Sequence, residues 1–239
     1  MAIFDIDGPL MRFLEKVANL MWLNVLTMIC CIPVFTAGAA FTALHYMCLK
    51  IVRDEESYIT KAYFKSFKEN FRQSTIIWLA MLAIAAFLAL DFYIIIDLKV
   101  ELPHIVKLLV LAVGVLAAFT AVMIFPVQAK FDNPIKYTIK NAFALSVLQF
   151  PKTFVMLVLL FVPMLLCYVT MQIFPVVFLF GFSLPAYFSA HLYNKTFLSM
   201  EQQILGNGEA SGEETDAEEG EDERIFKDEP ESGETEEEQ

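Results

Sequence analysis

The sequence has few residues from which a metal centre, a disulfide framework or a nucleophilic site could be built. Its 239 residues include four cysteines and three histidines. The cysteines lie in apolar stretches without a CxxC spacing, at Cys30, Cys31, Cys48 and Cys167. A cysteine in such surroundings usually serves as a small apolar side chain. We therefore expect no disulfide framework, no bound metal and no cofactor.

Acidic residues are also scarce over most of the chain, although its net charge is −11. Residues 1–200 contain 11 acids and 15 bases, whereas residues 201–239 contain 17 acids and two bases. The sequence thus divides into a basic body at 1–200 and an acidic tail at 201–239. From Gly206 onward the only large apolar residues are Ile225 and Phe226. Such a segment cannot bury enough surface to offset its ordering entropy, so it is expected to be disordered.

Two interpretations of the acidic tail remain open from the sequence. A solvated tail without a fixed partner is the simpler one. The alternative is that Ile225 and Phe226 dock on the body, or that the acids are attracted to its basic loops.

The body is too apolar for a soluble domain. The chain is 57% hydrophobic with a mean hydropathy of +0.57, whereas soluble domains are roughly 45–50% apolar. A helix needs about 20 apolar residues to cross a bilayer, and the ten-residue alternation of a membrane barrel is missing. Five segments reach or approach this length: 17–35, 75–96, 104–126, 152–173 and 175–196. The prediction is an all-α, polytopic transmembrane helical bundle.

The first apolar segment could contain a second crossing. Apolar residues continue past Pro33 and Gly38 to Val52, which is too long for one span. Proline removes an amide donor and glycine relaxes the backbone, so a break is expected between Pro33 and Gly38. Residues 39–52 could then lie on the surface, re-enter the membrane, or cross it as a sixth helix.

Basic residues predict the orientation, because short loops rich in lysine and arginine stay in the cytoplasm. The stretch 50–72 holds six bases and the stretch 130–152 holds four. With five spans the C-terminus is cytoplasmic and the N-terminus outside, whereas six spans place both ends inside. Between residues 58 and 72, aromatic residues recur at near-helical spacing beside four bases, which predicts an amphipathic interfacial helix. These interfacial bases are Lys61, Lys65, Lys68 and Arg72.

A resemblance to a known family is carried by short strings in the first third of the chain. They are PLMRFL at 9–14, LN at 23–24, CIPV at 31–34, Gly38, TALHY at 42–46, VRDEE at 52–56 and FKSFKENF at 64–71. With these strings the chain resembles the YesL family of bacterial membrane proteins, also called DUF624. The strings contain no catalytic signature, and the acidic tail departs from the compact pattern of the family.

The resemblance implies a multi-pass plasma-membrane protein, of a kind typical of Gram-positive bacteria. Members are often encoded beside oligosaccharide uptake and glycan-degrading systems, although the molecular activity of the family is not established. Components of a sugar ABC transport system are therefore the protein partners that the resemblance implies. Nothing in the sequence indicates a nucleic-acid partner, and it leaves the oligomeric state open.

Two ionisable residues within the apolar segments form a candidate intramembrane pair. Asp91 and Lys107 lie eight residues on either side of Lys99, in the loop between the second and third predicted spans. An antiparallel hairpin places them at similar depth, and charges inside a membrane usually have partners. A structural ion pair is the leading interpretation; snorkelling of each side chain or coupling to an ion are the alternatives.

Prolines and glycines mark candidate helix kinks at Pro33, Gly38, Pro163, Gly181 and Pro185. Pro163 and Pro185 each lie eleven residues from Phe174, at the tip of the last predicted hairpin. Kinks release backbone carbonyls that can line a cavity, although structural bends are the more common reason for such prolines.

The sequence leads to three functional hypotheses. The first is a non-catalytic accessory protein of carbohydrate uptake, where the carbohydrate part is what the resemblance implies. The second is a small transporter or channel that uses the proline-containing last hairpin and Asp91. The third, an intramembrane enzyme, ranks last because no paired nucleophile and base stands out.

Overall fold

The computed structural model describes residues 9–55, 58–96, 103–169, 172 and 174–211. In these residues the structure contains eight α-helices and one short 3-10 helix. The α-helices are α1 Pro9–Cys31, α2 Ala37–Val52, α3 Ile59–Ile96, α4 His104–Lys130, α5 Ile135–Leu148, α6 Phe150–Val169, α7 Phe174–Phe180 and α8 Ser183–Ser211. The predicted all-α polytopic fold is confirmed. The expected disorder of the acidic tail stays a prediction, because residues 212–239 lie outside the described part.

Five described helices are long and apolar enough to cross a membrane. They are Leu10–Cys31, Val34–Val52, Ile59–Asp91, His104–Lys130 and Phe150–Val169. The pair α7 and α8, bent by 50° over Phe174–Phe180 and Ser183–Ile204, makes a sixth candidate. The last span predicted from the sequence, 175–196, is therefore a broken helix. The region 39–52, left open by the sequence, belongs to a separate helix, α2.

Helix α2 lies at the centre of the bundle, where it packs against α1, α3, α4 and α8. Most of its side chains are buried, and the buried ones in its first two turns are all small. Gly38 has the closest neighbours: a Cβ atom there would lie 2.6 Å from the Ser74 backbone oxygen and 2.7 Å from the Trp78 Cβ atom. The small residues of α2 thus allow the backbones of α2 and α3 to approach closely.

Helices α1 and α2 form a hairpin whose turn contains the short helix Val34–Thr36. The break expected near Pro33 is present, because α1 ends at Cys31 and α2 begins at Ala37. Gly38 lies in the first turn of α2, just after this break, where it leaves room for α3.

The two free ends of the α1–α2 hairpin lie together. Lys16 Nζ, two turns into α1, is 2.5 Å from the Asp54 carboxylate just after α2. At the opposite end, the Trp78 indole donates a hydrogen bond of 2.8 Å to the Val34 carbonyl oxygen. The start of α1 therefore lies at the same end of the bundle as the basic stretch 50–72. This arrangement is the one expected of the six-span alternative, in which both chain ends share a side.

The predicted amphipathic helix forms the beginning of α3, from Ile59, and continues without a break into the span that follows. Helix α3 contains no glycine or proline that could separate this segment from the span that follows. Tyr63 is fully buried, and its hydroxyl group donates to Thr27 and to the Ala40 carbonyl oxygen. The aromatic face of the segment therefore packs partly into the protein, while the four bases are exposed.

The folded body extends past the boundary expected at residue 200. Helix α8 continues to Ser211, so the first eleven residues of the acidic segment are helical. Within them, Glu201 is half-buried and contacts the core of the bundle.

Candidate functional site

The break between α7 and α8 is held by a side chain from another helix. Asn24, fully buried in α1, accepts hydrogen bonds from the backbone amides of Phe182 at 2.8 Å and Ser183 at 3.0 Å. Its amide nitrogen donates to the Phe178 carbonyl oxygen at 2.8 Å. Asn24 thus satisfies both sides of the break, because helix ends leave backbone donors and acceptors without partners. It acts as a cap supplied across the bundle.

The bend itself falls at Gly181 and Phe182, as the sequence predicted for Gly181. The Gly181 amide donates to the Val177 carbonyl oxygen at 2.7 Å, and a Cβ atom on Gly181 would lie 2.4 Å from that oxygen. Any other residue would clash there, so glycine closes α7 at this point. The Ser183 hydroxyl group beside the break is buried and makes no hydrogen bond within the described part of the chain.

The other two predicted kinks, at Pro163 and Pro185, lie within continuous helices. Pro185 lies in the first turn of α8, where the missing amide donor costs no helical hydrogen bond, so it starts the helix instead of kinking it. Pro163 lies inside α6, which continues from Phe150 to Val169. Pro126, in the buried last two turns of α4, was not among the predicted kinks.

A cluster of buried charges ties the ends of three helices together. Arg53, just after α2, donates to both carboxylate oxygens of Glu201 in α8, at 2.7 and 3.2 Å. Lys130, the last residue of α4, lies 3.8 Å from the same carboxylate. The side chains of Arg53, Lys130 and Glu201 are 10%, 6% and 16% exposed. We call Arg53, Lys130 and Glu201 the charge cluster.

Neighbouring polar groups complete the surroundings of Arg53. Its Nε atom donates to the Asn194 side-chain oxygen at 2.8 Å, and Glu55 lies 3.9 Å away at a more exposed position. Because arginine offers five donors in a rigid fork, it can bind the Glu201 carboxylate through two nitrogens while a third binds Asn194. The arrangement fixes α8 against α2 without leaving the Glu201 carboxylate unpaired.

A second polar contact joins α6 to α8 nearby. The Thr196 hydroxyl group donates to the Gln149 side-chain oxygen at 2.7 Å and accepts from Lys152 Nζ at 3.0 Å. Lys152 belongs to the stretch of bases that the sequence assigned to a cytoplasmic loop. The first turn of α6 is thereby fixed to the same part of α8 as the charge cluster.

Asp54 lies at the same end of the bundle, with an exposed carboxylate. The backbone of Asp54 is left-handed, with φ at 53°, and the Glu55 amide donates a hydrogen bond to the Lys50 carbonyl oxygen at 3.0 Å. This is the geometry of a Schellman cap, which usually has glycine at this position. The hydrogen bond and charge of Lys16 lower the pKa of the Asp54 carboxyl.

The structure leaves the proposed membrane pair untested. Asp91 and Lys107 are both half-buried. The ion pairs within 4 Å found among the described residues do not include these two. The loop between them, residues 97–102, is outside the described part, and the pairing stays a prediction.

Metal-ligating side chains do not cluster in the part of the chain that the structure describes. In the described ranges, no group of three or more histidine, cysteine, aspartate or glutamate side chains is placed to hold a metal ion. The charge cluster contains one carboxylate engaged by two cations, an arrangement that holds helices in place. Its geometry is therefore structural, and it closes the end of the bundle to which the basic stretches belong.

Residues 17–92 match the family model of DUF624, a protein family of unknown function. The resemblance predicted from the sequence is confirmed for this region. The DUF624 region includes most of α1, all of α2 and most of α3, and thus Asn24, Gly38 and Arg53. No curated protein and no solved structure matches the chain.

Neither the Asn24 cap nor the charge cluster was predicted from the sequence. Asn24 and Arg53 both appear in the strings that carry the family resemblance, at 23–24 and 52–56, but their partners lie more than 140 positions later. An asparagine in the middle of an apolar span was the available signal for the Asn24 cap, since a polar group there needs a partner. For the charge cluster, the only signal was weaker: a lysine at the end of an apolar span.

Proposed function

We propose that this protein is a non-catalytic accessory of carbohydrate import, seated in the plasma membrane with its basic stretches and C-terminus in the cytoplasm. The observation that carries this proposal is the exposure of Lys61, Lys65 and Lys68 on a helix whose opposite face is held in the protein by Tyr63. A rigid basic surface at the membrane boundary suits docking of an acidic partner or an anionic headgroup.

The charge cluster supports an anchoring role over a catalytic one. It locks α8 to α2 and α4, and this makes the cytoplasmic end of the bundle a fixed platform. The carbohydrate part of the proposal rests on the family resemblance alone. Importer components are the expected partners because family members are often encoded beside oligosaccharide uptake systems.

The test compares uptake of a labelled oligosaccharide in three settings: cells with the protein, cells without it, and proteoliposomes containing the protein alone. An accessory role predicts reduced uptake in the cells that lack the protein and no flux in the proteoliposomes. Flux through the protein alone would contradict the accessory role. If the protein is crosslinked in cells and then purified, importer subunits should be recovered together with it.

A second candidate, a small transporter or channel, is favoured by the break between α7 and α8. Transporters often place substrate or ion sites at discontinuous helices near the membrane midplane. Here the break carries the buried Ser183 hydroxyl group and is capped by Asn24. This candidate predicts flux by the protein alone that falls when Asn24→Leu removes the cap, and unchanged flux in that variant would count against it.

A further inference from the structure

An open groove of about 810 Å³ runs along the first turns of α3. Tyr58 and Phe64 supply aromatic surface, and the side chains of Lys61, Lys65 and Lys68 line it as well. Tyr58 is 87% exposed and Phe64 is 38% exposed. We call this feature the α3 groove.

The α3 groove combines apolar surface with positive charge. Lys65 lies 4.0 Å from Glu69 on the same helix, a loose and exposed pair. Among the described residues, no acidic side chain lies within 4 Å of Lys61 or Lys68. A suitable occupant therefore brings one or two large apolar side chains flanked by acids.

The C-terminal segment of the same chain has this composition. Residues 221–229 read EDERIFKDE, with Ile225 and Phe226 as the only large apolar residues between 212 and 239. The nine residues carry five acids and two bases: Arg224 and Lys227 adjoin the apolar pair, and the acids lie beyond them on both sides, for a net charge of −3. The segment thus has both properties that the α3 groove requires.

The connection between the two is long enough. Glu201 is in contact with Arg53, and Arg53 is six residues before Ile59, which is at most about 20 Å of chain. Helix α8 runs ten residues beyond Glu201, which is about 15 Å. The path from Ser211 back to Ile59 is thus at most about 35 Å plus the lengths of the Arg53 and Glu201 side chains, and the 14 residues from Ser211 to Ile225 can span up to about 46 Å.

We propose that residues 221–229 of this chain dock in the α3 groove. Ile225 and Phe226 pack against Tyr58 and Phe64, and the flanking acids approach Lys61 and Lys68. Because the segment is tethered to α8, its effective concentration at the groove is in the millimolar range, so weak contacts suffice. Docking covers the basic surface of α3 and makes its availability to other partners depend on release of the tail.

An anionic membrane surface offers the same charge but lacks the tether. Headgroups would be attracted to Lys61, Lys65 and Lys68 without any need for Ile225 and Phe226. The two occupants therefore differ in a measurable way, namely in whether Phe226 lies beside α3.

The experiment places the photo-crosslinking amino acid benzoylphenylalanine at position 226 in the full-length protein, which keeps an aromatic ring there. The protein is purified in neutral detergent and irradiated, and the crosslinked peptides are identified by mass spectrometry. We expect intramolecular crosslinks to residues 58–68. The yield should fall by about tenfold or more in Lys61→Glu with Lys68→Glu, which corresponds to a loss of about 1.4 kcal/mol of docking free energy.

A matched control reverses two exposed lysines of α5, Lys136→Glu with Lys140→Glu, and should keep the crosslink yield. If the crosslink yield fell equally in both double variants, the effect would come from the overall charge of the protein, and the proposal would be overturned. Crosslinks scattered over other surfaces, or crosslinks between two copies of the chain, would also overturn it. Folding of each variant is checked by its elution profile in gel filtration.

The lipid alternative is tested in phosphatidylcholine nanodiscs with and without phosphatidylglycerol. Persistence of the 226 crosslink in both supports the tail as occupant. Its absence in both nanodisc types, or its loss whenever phosphatidylglycerol is present, would assign the groove to the membrane surface and contradict the proposal. Both results are independent of whether the protein assists carbohydrate uptake.

Discussion

Arg53 and Glu201 are separated by 148 positions in the sequence and joined by two hydrogen bonds in the structure. The pair connects a residue inside the region that matches the DUF624 model, 17–92, to a residue at the start of the acidic segment. The C-terminal helix is therefore part of the folded body, and its first acid fixes it to the central helix α2.

The first prediction concerns the Glu201 carboxylate. Glu201→Ala leaves Arg53 and Lys130 buried beside an absent anion, and breaking such a buried pair costs about 3–5 kcal/mol. The free energy of unfolding in detergent should fall accordingly. Glu55→Ala is the control, since Glu55 contacts the same arginine at 3.9 Å from an exposed position and exposed pairs contribute about 0.2–1 kcal/mol. Similar losses in the two variants would contradict a structural role for the charge cluster.

The same cluster predicts where the chain can be shortened. A stop after residue 211 keeps the described part of α8 and removes only the docked tail, so it should lower the thermal unfolding temperature only slightly. A stop after residue 200 removes Glu201 and should lower that temperature. If the two truncated proteins melted alike, the folded body would end at residue 200, as the sequence suggested.

The third prediction concerns the close contact of α2 and α3. Gly38→Ala brings a methyl group to 2.6 Å from the Ser74 backbone oxygen, so the helices must separate, and overpacking of this kind costs about 1–3 kcal/mol. Gly114→Ala is the matched control, because no described atom lies within 4 Å of the added methyl group. Removing a glycine from a helix interior should stabilise by about 0.5–1 kcal/mol. Equal changes in unfolding free energy for the two variants would contradict the packing argument.

The fourth prediction concerns the cap of the broken helix. Asn24→Ala leaves two backbone amides and one carbonyl group without their partner, and each unsatisfied buried group costs about 1–3 kcal/mol. The unfolding free energy should fall, and α7 should exchange its amide hydrogens faster. Asn19→Ala in the same helix is the control, since no described hydrogen bond involves its side chain. A change confined to α1 would show that the break is held by other contacts.

The fifth prediction concerns the side of the membrane on which the chain begins. In a protein with its four cysteines replaced, Arg12→Cys and Asp132→Cys should react with an impermeant thiol reagent only after the cytoplasmic face is opened, because Lys16 lies against Asp54 beside the basic stretch. His104→Cys, at the other end of α4, should react from outside. Reaction of Arg12→Cys from outside would support the five-span topology and contradict the hairpin.

The spans could be predicted because each is a local run of apolar residues. The segments expected at 104–126 and 152–173 agree with α4 and α6 within a few residues. The break at Pro33 could also be predicted, since proline acts on its own helix. The packing role of Gly38 could not be predicted, because its neighbours Ser74 and Trp78 lie on another helix.

In the amphipathic segment 58–72, too, some features could be predicted locally and others depend on neighbouring helices. The spacing of aromatic and basic residues in 58–72 correctly predicted a helix with an exposed basic side. That Tyr63 would be buried, with its hydroxyl group on Thr27 and Ala40, depends on the position of α1 and α2 and could not be read from the segment itself.

The sequence by itself determined that the body is helical, lies in lipid, and carries its bases and acids in separate parts of the chain, because hydropathy and charge act locally along it. Only the tertiary structure decided which polar residues meet. Asn24 finds the break at Phe182 and Arg53 finds Glu201 because the hairpin of α1 and α2 packs against α8. Partners so distant in the chain have no common local pattern, and they become neighbours only when burial of the helices places them side by side.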